Sequence, residues 1–336
     1  MNKKLDFFIL LVICYHIIAC STGNEKQVVV YTSVDQVFAE PILKDFENET
    51  GIKVNAVFDT EEAKSTGVLN RLIAEKNQPQ CDVFWSGDPI RADLLKQKGI
   101  STAYQSLAAQ DLPDIFKDKD DHWTGFSARA RVLLVNTNLV PDSLIPSSIL
   151  DLSNAKYKNK VAIANPLFGT TSFHIAALFT VIGDENAKKW LRDIKNNEII
   201  IATSNGDVKK KVVNGEVWIG LTDTDDANEA IKEGAPVKMI FLDQNEFGNL
   251  INPNTVSLIR NSPQQANGKR VMDYLLSRET EEKLAKSCAQ MPLHKGVPVP
   301  ASVPVLDSIK PMKVDYQATA LKYNSIKDFL KKWVEE

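Results

Sequence analysis

Small polar residues collect at four places in this chain: Thr32 and Ser33; Ser86, Gly87 and Asp88; Thr170, Thr171 and Ser172; and Asp223, Asp225 and Asp226. These residue types suit holding a ligand better than breaking a bond. Hydroxyls and free backbone N–H groups at helix starts hold oxyanions. Carboxylates hold a cation or a hydroxylated molecule, so the clusters leave the ligand's charge open. Each cluster alone also reads as a helix N-cap, because Ser, Thr and Asp are preferred there. Gly87 leaves room for a ligand or serves a turn. The usual catalytic motifs are missing: there is no H-E-x-x-H, G-x-S-x-G, P-loop or C-x-x-C. Asp223–Asp226 looks like half a calcium loop without its glycine and closing glutamate. No enzyme is expected, no cofactor is assigned and metal ligands are left open.

The elements around these clusters alternate. Val28–Tyr31 reads as a strand, followed by a helix carrying Phe38, Ile42 and Phe46, with a kink or late start at Pro41 and an end at Gly51. Strands are predicted at 52–58 and 81–86, and helices at 66–76 and from Asp88 to about Gly99. Further strands are predicted at 131–135, 160–164, 198–203, 217–221, 237–242 and 255–259. Helices are predicted at 171–182, 227–234, 264–276, 279–287 and, amphipathic, 326–333. Repeated β-α-β spacing predicts an α/β fold with parallel sheets flanked by helices. In such sheets ligands bind beyond the carboxyl ends of the strands, which is where the four clusters fall. Tyr31, Trp85 and Phe168 flank them and read either as core or as cleft lining. Trp190 and Trp218 read as core, and Lys209–Lys211 as a solvated helix face.

The first residues have a different character. Lys3 and Lys4 precede an apolar run of about a dozen residues, the pattern of a secretory leader and too short to span a bilayer comfortably. The 336 residues, 43% of them hydrophobic, allow two ordinary domain cores. The net charge of −3 provides no positive field for nucleic acid. Cys81 and Cys288 read as two buried thiols of the mature chain.

Ile17-Ile18-Ala19-Cys20 resembles a bacterial lipobox, which implies residues 1–19 as signal peptide, lipidation of Cys20 and a polar tether over 20–26. Val28–Ser33, Phe46–Ile52, Asp82–Trp85, Gly125–Asn136 and Gly169–Ser172 together resemble the solute-binding proteins of ABC importers, nearest to the ferric-ion-binding periplasmic branch. That resemblance implies a two-lobed fold of type II, each lobe a mainly parallel sheet, joined by hinge strands. It implies one lobe from 27–125 plus 255–305 and another from 126–254 plus 306–336. It implies a monomer outside the cytoplasm, held to the membrane by its lipid alone, that closes on a small molecule or ion and delivers it to an ABC permease. By resemblance the solute is iron or another metal ion. Yet the adjacent tyrosines that ferric-binding members often carry are replaced here by Asp225 and Asp226, and Asp35 stands nearest the acidic or histidine ligand after the first strand. The alternative is a phosphorylated or other small organic solute, held by the hydroxyls with Arg129 or Arg131 as counter-charge.

Overall fold

The computed structural model describes residues 26–59 and 66–336; the leader and Cys20 lie outside them. The strands are β1 (Gln27–Thr32), β2 (Lys53–Phe58), β3 (Val83–Ser86), β4 (Ser101–Thr102), β5 (Thr124–Asn136), β6 (Val161–Ala164), β7 (Ile200–Ala202), β8 (Ile219–Asp223), β9 (Val237–Phe241) and β10 (Ile251–Ile259). The helices are α1 (Gln36–Thr50), α2 (Gly67–Ala74), α3 (Pro89–Gln97), α4 (Gly169–Val181), α5 (Asp184–Asn196), α6 (Asn205–Val213), α7 (Thr224–Lys232), α8 (Gln265–Leu275), α9 (Arg278–Cys288) and α10 (Tyr316–Glu335).

The path through the sheet is β2-β1-β3-β10-β5-β8-β6-β7, with β4 on β10 and β9 on β5. In the first lobe β2, β1 and β3 run parallel, and in the second β7, β6 and β8 do. The two hinge strands join these triplets in antiparallel fashion. β5 pairs with β10 over Thr124–Ala130, then with β8 over Arg131–Val135 and β9 over Val132–Asn136. β10 pairs with β5 at one end and with β3 and β4 at the other. Two strands thus cross between lobes, and Arg129 is the one half-buried residue of β5.

Local chemistry explains most boundaries. Gly51 ends α1 at φ 66°, a left-handed cap that glycine takes without strain. Asp88 caps α3 by accepting from Arg91 N, with Pro89 in the first turn. Several boundaries depart from expectation. β5 begins at Thr124 rather than 131, and β10 at Ile251 rather than 255, because pairing with each other orders stretches of weak strand propensity. α1 starts at Gln36, before Pro41, and the Val37 turn facing that proline is open to water. The last helix begins at Tyr316, ten residues early. It packs on α4 of one lobe and α3 of the other, so tertiary contacts extend it. Helix α5 was not anticipated, whereas α6 carries the Lys209–Lys211 helix face. Trp190 is buried, and its indole donates to Ile149 O, whereas Trp218 is half-buried under Lys160. Cys81 and Cys288 are free and buried. No helix among the described residues is long and apolar enough to cross a membrane.

Candidate ligand-binding cavity

A cavity of about 480 Å³ opens between the lobes. On one side stand Ser33, Asp35 and Gly87, just past the ends of β1 and β3. On the other stand Thr170, Thr171, Asn205, Asp223, Asp225 and Asp226, and Arg129 comes from the crossing strand. The ends of α9 and β6 add Cys288, Gln290 and Asn165. Four helices start at this cavity, because Asp35, Phe168, Ser204 and Asp223 are the N-caps of α1, α4, α6 and α7 and all line it. Only Ser204 makes a side-chain capping bond, to Asp207 N. The first turn of α4 therefore presents its N–H groups and the positive end of its dipole without a side-chain acceptor.

Behind the second-lobe wall lies a buried network. Arg131 is fully buried and donates through Nη1 to Asp223 Oδ1 at 2.8 Å and Thr170 Oγ1 at 3.0 Å, and through Nη2 to Thr171 Oγ1 at 3.1 Å. Asp223 Oδ2 accepts from Thr170 Oγ1 at 2.7 Å and Asn205 Nδ2 at 2.9 Å. Burial works against the Asp223 charge, but Arg131 and Arg129 outweigh it and hold the carboxyl below its usual range. Asp225 is the opposite case. Burial pushes it up to about 8, and Asp226 and Asp223 add to this against the pull of Arg129. Arg129 Nη1 lies 3.9 Å from Asp225 Oδ2, while Nη2 donates to Gly87 O. Burial and the nearby Arg131 lower His174 to about 3, so its ring is neutral at physiological pH.

Of the twelve residues expected at the ligand, eight line the cavity: Ser33, Asp35, Gly87, Thr170, Thr171, Asp223, Asp225 and Asp226. The other four do not, and their polar groups serve the fold. Thr32 Oγ1 accepts from Val34 N, and Ser86 Oγ donates to Asp88 O. Asp88 caps α3 and pairs with Arg91 at 3.5 Å. Ser172 Oγ donates to Gly169 O and accepts from Arg91 Nη1 at 2.7 Å, tying α4 to α3 across the lobes. Of the two arginines, Arg129 reaches the cavity and Arg131 stands behind it. Of the three aromatics, Phe168 lines it, Tyr31 donates to Glu75 and Trp85 is packed against Phe126. Sequence reasoning missed the Ser204-Asn205-Gly206 turn. Its signal was available, since it is another small polar cluster after a strand. Among the described residues, no tyrosine or histidine lines the cavity.

A family model described as bacterial extracellular solute-binding protein matches residues 79–317. The chain belongs to that family. Among its relatives is "Iron uptake protein A1" of Synechocystis sp., 26% identical over 85% of this chain and 81% of that one. Another is a "Putative 2-aminoethylphosphonate-binding periplasmic protein" of Salmonella typhi, 26% identical over 75% of this chain and 73% of that one. Of solved structures, the ferric binding protein from Campylobacter jejuni matches with a TM-score of 0.83 and 21% identity, covering 91% of this chain and 99% of its own. The fold of this solute-binding protein is therefore the two-lobed one, with the cavity at the lobe junction.

Proposed function

We propose that this chain is the solute-capturing component of an ABC importer, and that its solute is a small organic molecule with an anionic group. The observation that carries the reading is the convergence of four helix N-termini and Arg129 on one cavity. The α4 N–H groups, the Ser33 hydroxyl and the Arg129 guanidinium supply donors for a phosphate, phosphonate or carboxylate, while the Thr170 and Thr171 hydroxyls are spent on Asp223 and Asn205 and stiffen the wall behind it. Asp225 and Asp226 receive hydroxyl or ammonium groups at its other end. The volume supports an organic solute, since about 480 Å³ lies in the range of small-molecule pockets and far exceeds a bare ion. No chemistry on the solute is required. Closure about β5 and β10 brings the lobes, 27–125 with 255–305 and 126–254 with 306–336, onto it, and the ligand's preference for the closed form drives that motion. The closed monomer docks on a membrane permease, outside the cytoplasm and tethered through lipidated Cys20.

A second reading, a metal ion, has one supporting observation: carboxylate oxygens of Asp223, Asp225 and Asp226 lie within 4.8 Å of one another. Both Asp223 oxygens are already committed to Arg131, Thr170 and Asn205, and two guanidinium charges stand close by. Both features disfavour a bare cation. Native mass spectrometry with metal analysis, on protein purified without chelator, separates the readings. The expected result is a co-purifying organic anion whose addition raises the melting temperature. One ferric ion per chain and no organic ligand overturns the proposal.

A further inference from the structure

Arg129 owes its place in the cavity to an irregularity in β5. The register pairs Asn252 with Arg129, Pro253 with Ala128, and then Asn254 with Phe126. Ser127 is the extra residue of a β-bulge, and its φ of 41° is in the left-handed region where glycine is preferred. Side chains alternate along a strand, so one inserted residue reverses the facing of everything beyond it. With the bulge, Arg129 and Arg131 share the face of Phe126. Without it they turn to the other face.

The bulge is held from outside the cavity. Glu281 of α9 is fully buried, and its carboxylate accepts from Ser127 N at 2.7 Å, Leu293 N at 2.9 Å and His294 N at 2.9 Å. It also receives His294 Nδ1 at 2.8 Å, while His294 Nε2 lies 2.9 Å from Ala108 O. Both ring nitrogens thus face acceptors, which calls for the doubly protonated imidazolium as the counter-charge of Glu281. From the other side, Asn254 Nδ2 donates to Ser127 O and to Gln290 Oε1, each at 2.6 Å, and Asn254 Oδ1 accepts from Arg129 Nη2 at 3.5 Å. Ala128 and Met291 exchange two backbone bonds of 2.7 Å beside it.

We propose that Glu281 is a positioning residue for solute binding: by holding the Ser127 bulge in the crossing strand, it aims the Arg129 guanidinium into the cavity from a site that touches no solute. This rests on the anion reading above. The test is Glu281→Gln, of the same shape, which replaces one acceptor oxygen by an NH₂ facing N–H donors. Two readouts are taken on folded protein: the ¹⁵N resonance of the Arg129 side chain, and the affinity for inorganic phosphate as a probe. The variant is expected to shift the Arg129 resonance and to bind phosphate at least tenfold more weakly. Ser127→Gly alone is expected to change neither, since glycine takes the bulge conformation without help. Ser127→Gly combined with Glu281→Gln is expected to restore both readouts. The double variant also serves if Glu281→Gln does not fold. An unmoved Arg129 resonance with phosphate affinity within twofold of wild type overturns the proposal, as does a folded double variant that restores neither. If wild-type protein does not bind phosphate, the anion reading fails on its own, and the Arg129 resonance still decides the role of Glu281.

Discussion

The two walls of the cavity are built differently. The second-lobe wall is a finished network, in which Arg131, Asp223, Thr170, Thr171 and Asn205 satisfy one another before any solute arrives. The first-lobe wall joins the apolar Val34, Val37 and Phe38 to a few small polar groups: Ser33 Oγ accepts from Gly87 N at 3.0 Å, and Gly87 O receives Arg129. One wall is preorganised, so a solute meeting it loses little to rearrangement. The other fixes fewer polar groups in advance, as suits a surface that closes onto a ligand already seated.

The comparison breaks most visibly at Arg131. Arg131→Met removes one half of a buried ion pair and leaves Asp223 uncompensated, so it is expected to cost about 3–5 kcal/mol of stability in urea unfolding. A loss below ~1 kcal/mol would show that the wall is not one network. Arg129→Gln is expected to weaken anion binding by about 10- to 100-fold, the loss of one charge-assisted contact, with little change in stability. Isothermal titration with the identified solute measures it, and an unchanged affinity would move the anion to another part of the cavity. Ser172→Ala strips the buried Arg91 of its cross-lobe acceptor and is expected to cost about 1–3 kcal/mol, measured the same way as for Arg131.

Two pH effects sharpen the contrast further. The folded-state pKa of Asp225 is raised to about 8, so the unfolded chain loses that proton first as pH rises. Its contribution to stability therefore falls between about pH 4 and 8. Asp225→Asn is expected to raise the melting temperature of the empty protein at pH 8–9 and to leave it unchanged near pH 4. His294 is a smaller effect of the same sign. Burial lowers its pKa, but Glu281, Ala108 and Asp111, the last also paired with Arg278, outweigh it and raise it overall. The stabilisation is complete below the ordinary imidazole range and is lost as pH rises through the raised folded value. In His294→Gln that fall is expected to disappear from the pH profile of unfolding. A profile identical to wild type would show that the pair does not titrate there.

Much of this was legible from residue order. Apolar runs bounded by Gly51, Asp88 and similar caps marked the strands and helices, because burial and capping act within a few residues. Polar clusters after strands marked the cavity, because a sheet of parallel strands brings their carboxyl ends together. The choice within each cluster was not legible. Ser33 and Gly87 line the cavity, whereas Thr32, Ser86 and Asp88 serve the fold. They are one residue apart, and a one-residue step reverses the face.

The sequence by itself determined the alternation of strands and helices, the family resemblance and the clusters from which a ligand site could be made. Only the tertiary structure decided that Arg129 enters the cavity while Arg131 backs it, that Ser172 ties the lobes, and that the last helix spans both. Those outcomes depend on pairing register, on a bulge at Ser127 and on contacts between residues far apart in the chain, such as Arg91 with Ser172 and Ser127 with Glu281. Spacing along the chain specifies local periodicity, whereas these partners meet only once the lobes have packed.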